Sequence, residues 1–565
     1  MNQVFATARA GFRLLSRPGR NALVVHGVVL VVLTGLDGLG LVLVSSVVSV
    51  VSLEEGRTDV SGSAGVIAAV IVLFIARSLL STLVSWRTIS RLAREEVLLG
   101  QRNFATVSSE EWELQLKSNP NDWFNAIDRG PSAMVQGLLV NLVTLGAEMV
   151  SGLMIFGALM FLQPLTAVIA GLYFVSAALL QHRLLSGGAT RSGQDSATYL
   201  TRIYEMVNQI HALRKLLLVH GSSSLESTLE HERNELATAR AKVAFFALVP
   251  RYFMELTLAI GLGLITYVTY LVSGADASLQ AVAVFSVAGF RLLPIVNRLQ
   301  ALILQILSVH PMSLLSFVST GSRRLPNERS AGTAAISMSD VSFSYEGSTD
   351  PAVDHVSIDF HRGRLYAIVG PSGAGKTTLV DLCLGLLTPT SGTVSIPSDS
   401  RLAYVPQDTA VADIPIGGNI SLEWDPSRIS RENLEVALRD AQLVDLVGDR
   451  GLHEPVAFMT LSGGQRQRIG LARALYRFPD VMILDEVTSA LDANTERSVM
   501  SVIEEMRTRC AVIVVAHRLT TVQNADEVIY LDRGKVLGRG GFVELQQSLP
   551  DFKRMVELGR LELAD

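Results

Sequence analysis

One run of residues has the composition of a phosphate-binding loop. Gly370-Pro371-Ser372-Gly373-Ala374-Gly375-Lys376-Thr377 follows the apolar run LYAIV and precedes the helical pattern TLVDLCLGLL. Glycines let successive backbone N–H groups and a helix N-terminus surround phosphates, the lysine reaches the outer phosphates, and the threonine hydroxyl can ligate Mg²⁺. The pattern predicts a nucleotide site at Gly370, Ser372, Gly373, Gly375, Lys376, Thr377 and Thr378.

Two other apolar runs end in side chains suited to phosphate chemistry. VMILDE ends in Asp485, which suits an Mg²⁺ shell, and Glu486, which can polarise an attacking water. AVIVVAH ends in His517, where a neutral imidazole can contact a γ-phosphate. Adjacent acids also occur on surfaces, and a lone histidine is more often structural. The assignment of these residues to catalysis therefore depends on the phosphate loop beside them.

Strands are needed to position these side chains. LYAIV, LAYVP, VMILD and AVIVVAH are short and rich in β-branched residues, and they alternate with polar helical stretches. This alternation predicts a mostly parallel α/β domain whose strands carry the motifs.

The 565-residue chain is too apolar for a wholly soluble protein. Hydrophobic residues make up 49% of the chain and charged residues 18%, and a helix needs about 20 apolar residues to cross a bilayer core. By this measure we predict six spans, at residues 21–51, 65–86, 134–162, 165–185, 243–272 and 279–307.

Basic residues orient the spans, because Lys and Arg near helix ends stay on the cytoplasmic side. They concentrate in residues 87–131 and 183–242, whereas the opposite connections are short and acidic or uncharged. Both basic segments have helical periodicity without enough apolar length to span, so we expect helices that continue below the bilayer. The N-terminus and the α/β domain are then cytoplasmic.

A Ser-, Gly- and Arg-rich stretch predicts the domain boundary. We expect a transmembrane domain at residues 1–318, a linker at 319–333 and a nucleotide-binding domain at 334–565. The apolar run that begins at residue 21 is too long for a signal peptide and is expected to be retained.

Composition also excludes some classes of protein. The net charge of −5 is spread along the chain without a long basic run, which argues against a nucleic-acid partner. Cys383 and Cys510 are isolated, so we expect buried inert thiols in place of a disulfide framework or a metal site.

The run Leu461-Ser462-Gly463-Gly464-Gln465 is the most specific motif of the chain. It resembles the signature of ABC transporters, and other motifs of that family fall into order around it, from Ser339 to about Gly540. The resemblance implies adenine stacking by Tyr345, a Q-loop contact to Mg²⁺ by Gln407 beside Thr377 and Asp485, a D-loop at Ser489–Asp492, and a switch role for His517.

In that family two nucleotide domains sandwich ATP head to tail, so the resemblance implies a dimer. Ser462, Gly463, Gly464 and Gln465 would contact the triphosphate held by the other copy, since backbone amides at the start of the helix QRQRIGLARAL offer a second anion site. ATP binding would close the pair, and hydrolysis by water that Glu486 activates would reopen it. Intact motifs favour a homodimer, and a heterodimer stays open.

The chain departs from the family pattern at two places. The segment from Leu379 to Gln407 is short, and GLHEPVAFMT replaces the expected loop before the signature, which senses the membrane helices in the family. The effect of either change on coupling is left open.

Ionisable residues in apolar spans are costly and usually face a cavity or a partner. Arg77, Arg251, Arg291 and Arg298 are the candidates for cargo binding. Arg291 and Arg298 are seven residues apart, which places them on one helix face, and guanidinium groups in a partly dry cavity suit phosphate or pyrophosphate. Alternatively, each arginine snorkels, or pairs with Glu148 or Glu255.

VPRYFMEL followed by FRLLPIVNRL resembles the membrane half of bacterial lipid-linked oligosaccharide flippases. The resemblance implies outward movement of a polyprenyl-pyrophosphate sugar across the bacterial inner membrane by an ATP- and Mg²⁺-dependent homodimer. A multidrug, peptide or glycerolipid exporter shares every ATPase motif and stays an alternative function, whereas a cytosolic ABC ATPase would lack the spans.

The expected architecture is a six-helix all-α transmembrane exporter domain plus an α/β P-loop nucleotide-binding domain.

Overall fold

The computed structural model divides the chain into two units. The helical unit comprises Met1–Glu110 and Lys117–Gly321, and the α/β unit comprises Glu111–Leu116 and Ser322–Asp565. The structure describes residues 2–33, 60–162, 164–220, 223–317, 334–450, 461–485, 487, 493–516 and 518–561. The predicted linker at 319–333 lies outside the described residues.

The described secondary structure of the first 317 residues is entirely helical. In chain order it comprises α1 (Asn2–Leu14), α2 (residues 17–33), α3 (Val60–Ser108), α4 (Trp112–Lys117), α5 (Pro120–Phe124), a π-helical turn (Asn125–Arg129), α6 (Gly130–Ser132), a π-helical segment (Ala133–Val140), α7 (Asn141–Leu162), α8 (Pro164–His220), α9 (Ser223–Ser273), α10 (Ala275–Ser313) and a 3₁₀ turn (Leu314–Ser316).

Three of these helices are much longer than a bilayer is thick. Helices α3, α8 and α9 contain 49, 57 and 51 residues, and each residue adds about 1.5 Å to a helix, against a hydrocarbon core of about 30 Å. The expected helical extensions beyond the membrane are therefore present. They arise because the helical pattern of the sequence continues after its apolar stretch ends.

Within the described residues, four stretches are long and apolar enough to cross a membrane: Pro120–Gly157, Val168–Leu213, Leu225–Leu271 and Leu292–Ser316. They overlap the third to the sixth of the predicted spans. The second predicted span lies inside α3, and residues 34–51 of the first lie outside the described part of the chain.

The amphipathic helix α1 is held to the rest of the helical unit by one face. Val4, Thr7, Ala8 and Gly11 are buried, and their spacing of three and four residues places them on a single stripe. A Cβ atom on Gly11 would lie 2.2 Å from the Met134 sulfur, so this glycine allows α1 to approach the π-helical segment closely.

Two buried polar side chains join segments of the helical unit through hydrogen bonds. The side-chain amide of Asn103 donates to the carbonyls of Ala126 (2.8 Å) and Ser316 (3.2 Å), which joins α3 to the first π-helical turn and to the end of α10. The carboxylate of Glu95 accepts from the backbone N–H of Ser16 at 2.8 Å and from its hydroxyl, which fixes the bend between α1 and α2. Both side chains are buried with their partners satisfied.

The α/β unit contains two sheets. The first is antiparallel in the order β2-β1-β4, built from β1 (Ala334–Phe343), β2 (Val353–His361) and β4 (Ser391–Ser395). The second has the order β5-β6-β7-β3-β8-β9, built from β3 (Leu365–Val369), β5 (Leu402–Val405), β6 (Val481–Asp485), β7 (Ala511–Val515), β8 (Glu527–Asp532) and β9 (Lys535–Gly540).

All strand pairs of the six-stranded sheet are parallel except β8 with β9. The four apolar runs of the sequence form β3, β5, β6 and β7, which confirms the predicted parallel α/β domain. Every residue of β3 and of β7 is buried, as expected of central strands covered on both faces.

Helices cover this sheet. They are α11 (Lys376–Cys383), α12 (Ile416–Ser421), α13 (Arg431–Asp440), α14 (Val444–Arg450), α15 (Gly463–Tyr476), α16 (Ala493–Arg507), α17 (Leu519–Gln523), α18 (Phe542–Ser548) and α19 (Pro550–Leu561). Cys383 and Cys510 are fully buried among apolar side chains, and burial raises the pKa of each thiol to about 12. The expectation of buried, unreactive thiols is confirmed.

Candidate nucleotide-binding site

The phosphate loop connects β3 to α11 and is held tightly against neighbouring backbone. Gly370, Gly373 and Gly375 have φ angles of 157, 78 and 99°, a region that side chains rarely tolerate. A Cβ atom would lie 2.0 Å from the Leu531 carbonyl oxygen at Gly370, and 2.2 Å from the Ala352 carbonyl oxygen at Gly375. Both conformation and space therefore require glycine at Gly370 and Gly375.

Lys376 is the first residue of α11 and places a cation on the loop. Its Nζ donates to the carbonyl oxygens of Gly370 at 2.8 Å and Pro371 at 3.0 Å. The first-turn N–H groups of a helix have no partner within that helix and attract anions. The loop thus combines a fixed ammonium group with a helix N-terminus, which suits a polyphosphate.

Tyr345, predicted to stack on adenine, lies beside the start of α11. Its hydroxyl is 3.2 Å from the Thr378 hydroxyl, and its ring packs edge-on against Phe343 with centroids 5.0 Å apart. Thr378 is buried and Tyr345 is half-buried. The tyrosine is thereby fixed next to the phosphate loop with part of its ring accessible.

Sheet order brings Asp485 to the same edge as the phosphate loop. Strands β6 and β3 both lie parallel to β7, and in such sheets ligands bind beyond the carboxyl ends of the strands. Asp485 ends β6, the loop follows β3, and Gln407 comes shortly after the end of β5. Three separate parts of the sequence therefore converge on one edge.

The predicted donors for Mg²⁺ fit that ion. Thr377, Gln407 and Asp485 offer a hydroxyl, an amide and a carboxylate oxygen, and hard cations prefer such oxygen ligands. No three His, Cys, Asp or Glu side chains gather as a metal site within the described residues. A cation at this edge would therefore complete its shell with phosphate oxygens and water, as Mg²⁺ commonly does.

The sequence did not predict that Tyr404 would support Asp485. Its hydroxyl donates to the Asp485 carboxylate at 3.2 Å from the neighbouring strand β5. Burial and the Asp485 carboxylate raise the pKa of Tyr404 above its ordinary value, so the phenol keeps the proton with which it orients the acid.

A second acidic residue, Asp381, lies near enough to Asp485 to be affected by its charge. Asp381, one turn after Thr377 on α11, is 9% exposed, and burial raises its pKa to about 6. The Asp485 charge raises this pKa further. Trp112 packs against the core of the α/β unit, although the chain on both sides of Glu111–Leu116 belongs to the helical unit. A lone acid within TLVDLCLGLL is the only sequence signal for Asp381.

The signature residues form an exposed helix N-terminus. Ser462 caps α15, since its hydroxyl accepts from the Gln465 backbone N–H at 3.2 Å and its own N–H donates to the Gln465 side chain at 2.9 Å. This capping box leaves the amides of Gly463 and Gly464 at the helix start. This arrangement suits an anion, because the capping box fixes the start of the helix without a ligand.

Several predicted residues lie outside the described part of the chain. They are the candidate catalytic Glu486 and His517, the D-loop at Ser489–Asp492, and residues 451–460 before the signature. Their assigned roles stay predictions.

In the helical unit, the candidates Arg298 and Arg251 are paired with acids. Arg298 of α10 donates to Glu148 of α7 at 2.9 Å, and Arg251 donates to Glu255 one turn along α9 at 2.9 Å. Arg77 is half-buried on α3, and Arg291 lies on α10 with its side chain outside the described set. The pairing alternative is therefore the one that applies to Arg251 and Arg298.

Replacing Gly375 by alanine should weaken nucleotide binding. The new Cβ would collide with the Ala352 carbonyl at a positive φ, and such strain costs of order 1–3 kcal/mol. We expect at least about a tenfold rise in the Kd for a fluorescent ATP analogue. Gly363→Ala is the control, since its φ is also positive but nothing lies within 4 Å of its Cβ. Unchanged affinity in a folded Gly375→Ala protein would refute the assignment.

The stability of the full chain should depend on pH through Asp381. Because its folded pKa of about 6 exceeds the ordinary 3.8, its contribution is greatest below about pH 4 and is lost as the pH rises through 6, by up to about 3 kcal/mol. Asp381→Asn should therefore gain thermal stability relative to wild type at pH 8, with at most a small gain at pH 4. Asp399→Asn, at an exposed acid, should show no such difference. An equal effect of Asp381→Asn at both pH values would contradict the analysis.

The comparisons with known proteins agree with this geometry. The family model described as ABC transporter matches residues 353–489. ATP-dependent lipid A-core flippases of Vibrio vulnificus (strain CMCP6) and Burkholderia thailandensis are 37% and 38% identical over 233 and 247 residues. These alignments cover 39% and 40% of this chain and only 40% and 39% of the relatives.

The structural similarity to known proteins covers more of the chain than the sequence similarity does. A solved structure of a bacterial Atm1-family ABC exporter with ATP bound matches with a TM-score of 0.78 and 20% identity, over 96% of this chain and 98% of that chain. At this identity the match shows the fold alone. Residues 353–489 therefore match the ABC transporter family model, and the chain as a whole has the fold of an ABC exporter.

Proposed function

We propose that this chain is one half of a dimeric exporter that hydrolyses ATP to move a lipid across the bacterial inner membrane. The observation that carries the proposal is the exposed, capped N-terminus of α15, which displays the signature amides in the same unit as a complete phosphate loop. Curated relatives named ATP-dependent lipid A-core flippases support both ATP use and a lipid cargo.

The phosphate loop and the signature residues contact the same ATP molecule from two different copies of the chain. Lys376 and the first turn of α11 hold the phosphates in one copy, while Ser462 and the amides at the start of α15 cap the same phosphates from the other copy. Two helix N-termini and one ammonium group then face one triphosphate, which lowers its charge in a site closed to water. A single chain has only half of each site, so activity requires a pair, and the intact motifs favour two identical chains.

Hydrolysis needs a polarised water and a stabilised phosphate. Mg²⁺, when bound, would neutralise developing charge on the phosphates. Asp485 and Thr377 would hold the ion, with Gln407 contacting it, and Tyr404 keeps the Asp485 carboxylate oriented. Glu486, directly after Asp485 in the chain, would accept a proton from the attacking water, and His517 would contact the γ-phosphate. Tyr345 would stack on the adenine.

For the cargo, we propose a lipid-linked oligosaccharide with a polyprenyl-pyrophosphate anchor or a similar anionic amphipathic lipid. Charged residues inside apolar spans support a polar head within the membrane half. The pairs Arg298–Glu148 and Arg251–Glu255 make those positions hydrogen-bonding sites without a net positive charge. Arg77 and Arg291 stay candidates for phosphate recognition. A multidrug, peptide or glycerolipid exporter is the alternative.

Replacing Glu486 by glutamine should separate binding from turnover. The amide keeps the shape of the side chain but cannot accept the proton of the water, so ATPase activity should fall at least about 100-fold, with ATP affinity within about threefold of wild type. Reconstituted full-length protein and a radiolabelled-phosphate release assay provide the measurement. Glu504→Gln, at a surface acid paired with Arg507, is the control. Full activity of Glu486→Gln would remove the assignment.

The cargo class can be tested by stimulation of ATPase activity in liposomes. Polyprenyl-pyrophosphate glycans should raise turnover, whereas stimulation only by uncharged drugs would favour the alternative. Arg291→Gln should lose the stimulation and keep the basal rate. Arg298→Gln leaves Glu148 unpaired, so the double variant Glu148→Gln/Arg298→Gln is the matched control. Recovery of stimulation in the double variant identifies a structural pair, and continued loss identifies a cargo contact.

A further inference from the structure

A polar groove lies between α8 and α10 in the helical unit. Its volume is about 560 Å³, and the α8 side presents His182, Ser186, Thr190, Arg191 and Gln194. Four of these residues recur every four positions, which places them on one helix face. The α10 side presents the apolar Ile303 and Leu307. One wall of the groove therefore offers hydrogen-bond donors and positive charge, and the other offers an apolar surface.

The charge of the groove is positive and uncompensated. His182 and Arg191 line it without any acidic residue, and within the described residues neither has an ion-pair partner. Asp195 lies one turn beyond Arg191 on α8 but is not part of the lining. This distinguishes Arg191 from Arg298, which is neutralised by Glu148 at 2.9 Å. An anion would thus be better matched here than at the paired arginines.

Two buried glutamines with unpaired amide atoms lie on α8 and α10, just before the residues that line the groove. Gln181, directly before His182, is 1% exposed, and neither its Oε1 nor its Nε2 has a hydrogen-bond partner within the described structure. Gln300, on the same face of α10 as Ile303, donates to the Ala178 carbonyl at 3.3 Å but leaves its Oε1 unpaired. Such exceptions call for a missing partner at the site.

The position of the groove along α8 limits what its ligand can be. The predicted fourth span ends at residue 185 and the basic segment begins there, so the groove straddles the expected cytoplasmic boundary of the bilayer. A volume of about 560 Å³ falls in the range of sites for small molecules and head groups. Donors, cations and one apolar wall at this level together match the head of an inner-leaflet lipid.

We propose that this groove binds the phosphorylated head of a lipid, with Arg191 and His182 on the phosphate and the amides of Gln181 and Gln300 on its hydroxyl or glycosyl oxygens. The inference rests on the proposed function, because it assigns a place to the head of the lipid cargo on its way out of the inner leaflet. It also supplies the partners that the buried amides lack.

The test measures binding of short-chain lipids to the detergent-solubilised full chain by calorimetry. Dihexanoyl phosphatidic acid is the probe, dihexanoyl phosphatidylcholine controls for the acyl chains, and inorganic pyrophosphate controls for a free anion. We expect phosphatidic acid to bind at least about tenfold more tightly than either control. The double variant His182→Gln/Arg191→Gln should lose that preference, whereas Arg183→Gln, at the exposed neighbour of His182, should keep it.

A second variant separates ligand binding from folding. Gln181→Leu removes the unpaired amide, so it should raise the melting temperature of the protein while weakening the binding of dihexanoyl phosphatidylglycerol, whose head carries hydroxyl groups, at least about threefold. A lower melting temperature with unchanged binding would overturn the role of the amide. Wild-type affinity in His182→Gln/Arg191→Gln, or equal binding of pyrophosphate, would overturn the lipid site.

ATPase activity measured on the same samples tells the two proposals apart. Lost lipid preference in the double variant with wild-type ATP hydrolysis supports the groove. Active hydrolysis together with unaltered lipid binding in the double variant refutes the groove alone, whereas a wild-type protein that never hydrolyses ATP refutes the proposed function.

Discussion

The structure of the nucleotide-binding domain depends on the close approach of the phosphate loop to two carbonyl oxygens. Gly370 and Gly375 leave no room for a Cβ beside Leu531 and Ala352. Leu531 belongs to β8 of the parallel sheet, while Ala352 directly precedes β2 of the antiparallel sheet. The loop therefore holds the two sheets together at the place where it must also present backbone N–H groups to phosphate. Binding and packing impose the same requirement on these positions, which is why only glycine serves.

Around this loop the protein arranges acids in different environments. Asp485 is half-buried at the end of β6 and is oriented by Tyr404, so it can act as an anionic ligand. Asp381 is buried one turn into α11 with a pKa raised to about 6, so its charge is costly and sensitive to its neighbours. Trp112, from a short segment between two parts of the helical unit, contributes to that environment. The chain thus places a residue from outside the nucleotide fold next to an acid of the phosphate-loop helix.

In the helical unit the decisive constraint is the cost of a charge in an apolar setting. Arg298 and Glu148 remove that cost by pairing across α7 and α10, and Arg251 does so with Glu255 on a single helix. The groove between α8 and α10 is different, because Arg191 lies near the expected membrane boundary, where water and lipid phosphates are available. Ion pairs inside the spans and an arginine at the boundary that has no ion pair among the described residues follow from the same desolvation penalty.

The sequence alone determined the elements whose signals are local. Apolar runs predicted β3, β5, β6 and β7, long helical patterns predicted the extensions of α3, α8 and α9, and glycine spacing predicted the phosphate loop. Tertiary structure decided what depends on contacts distant in the chain, such as the support of Asp485 by Tyr404, 81 positions away, and the pairing of Arg298 with Glu148, 150 positions away. Local sequence patterns indicate which secondary structure a segment forms and which of its faces is buried. Partners from distant segments are selected only when the packed helices and strands bring their side chains within reach of one another.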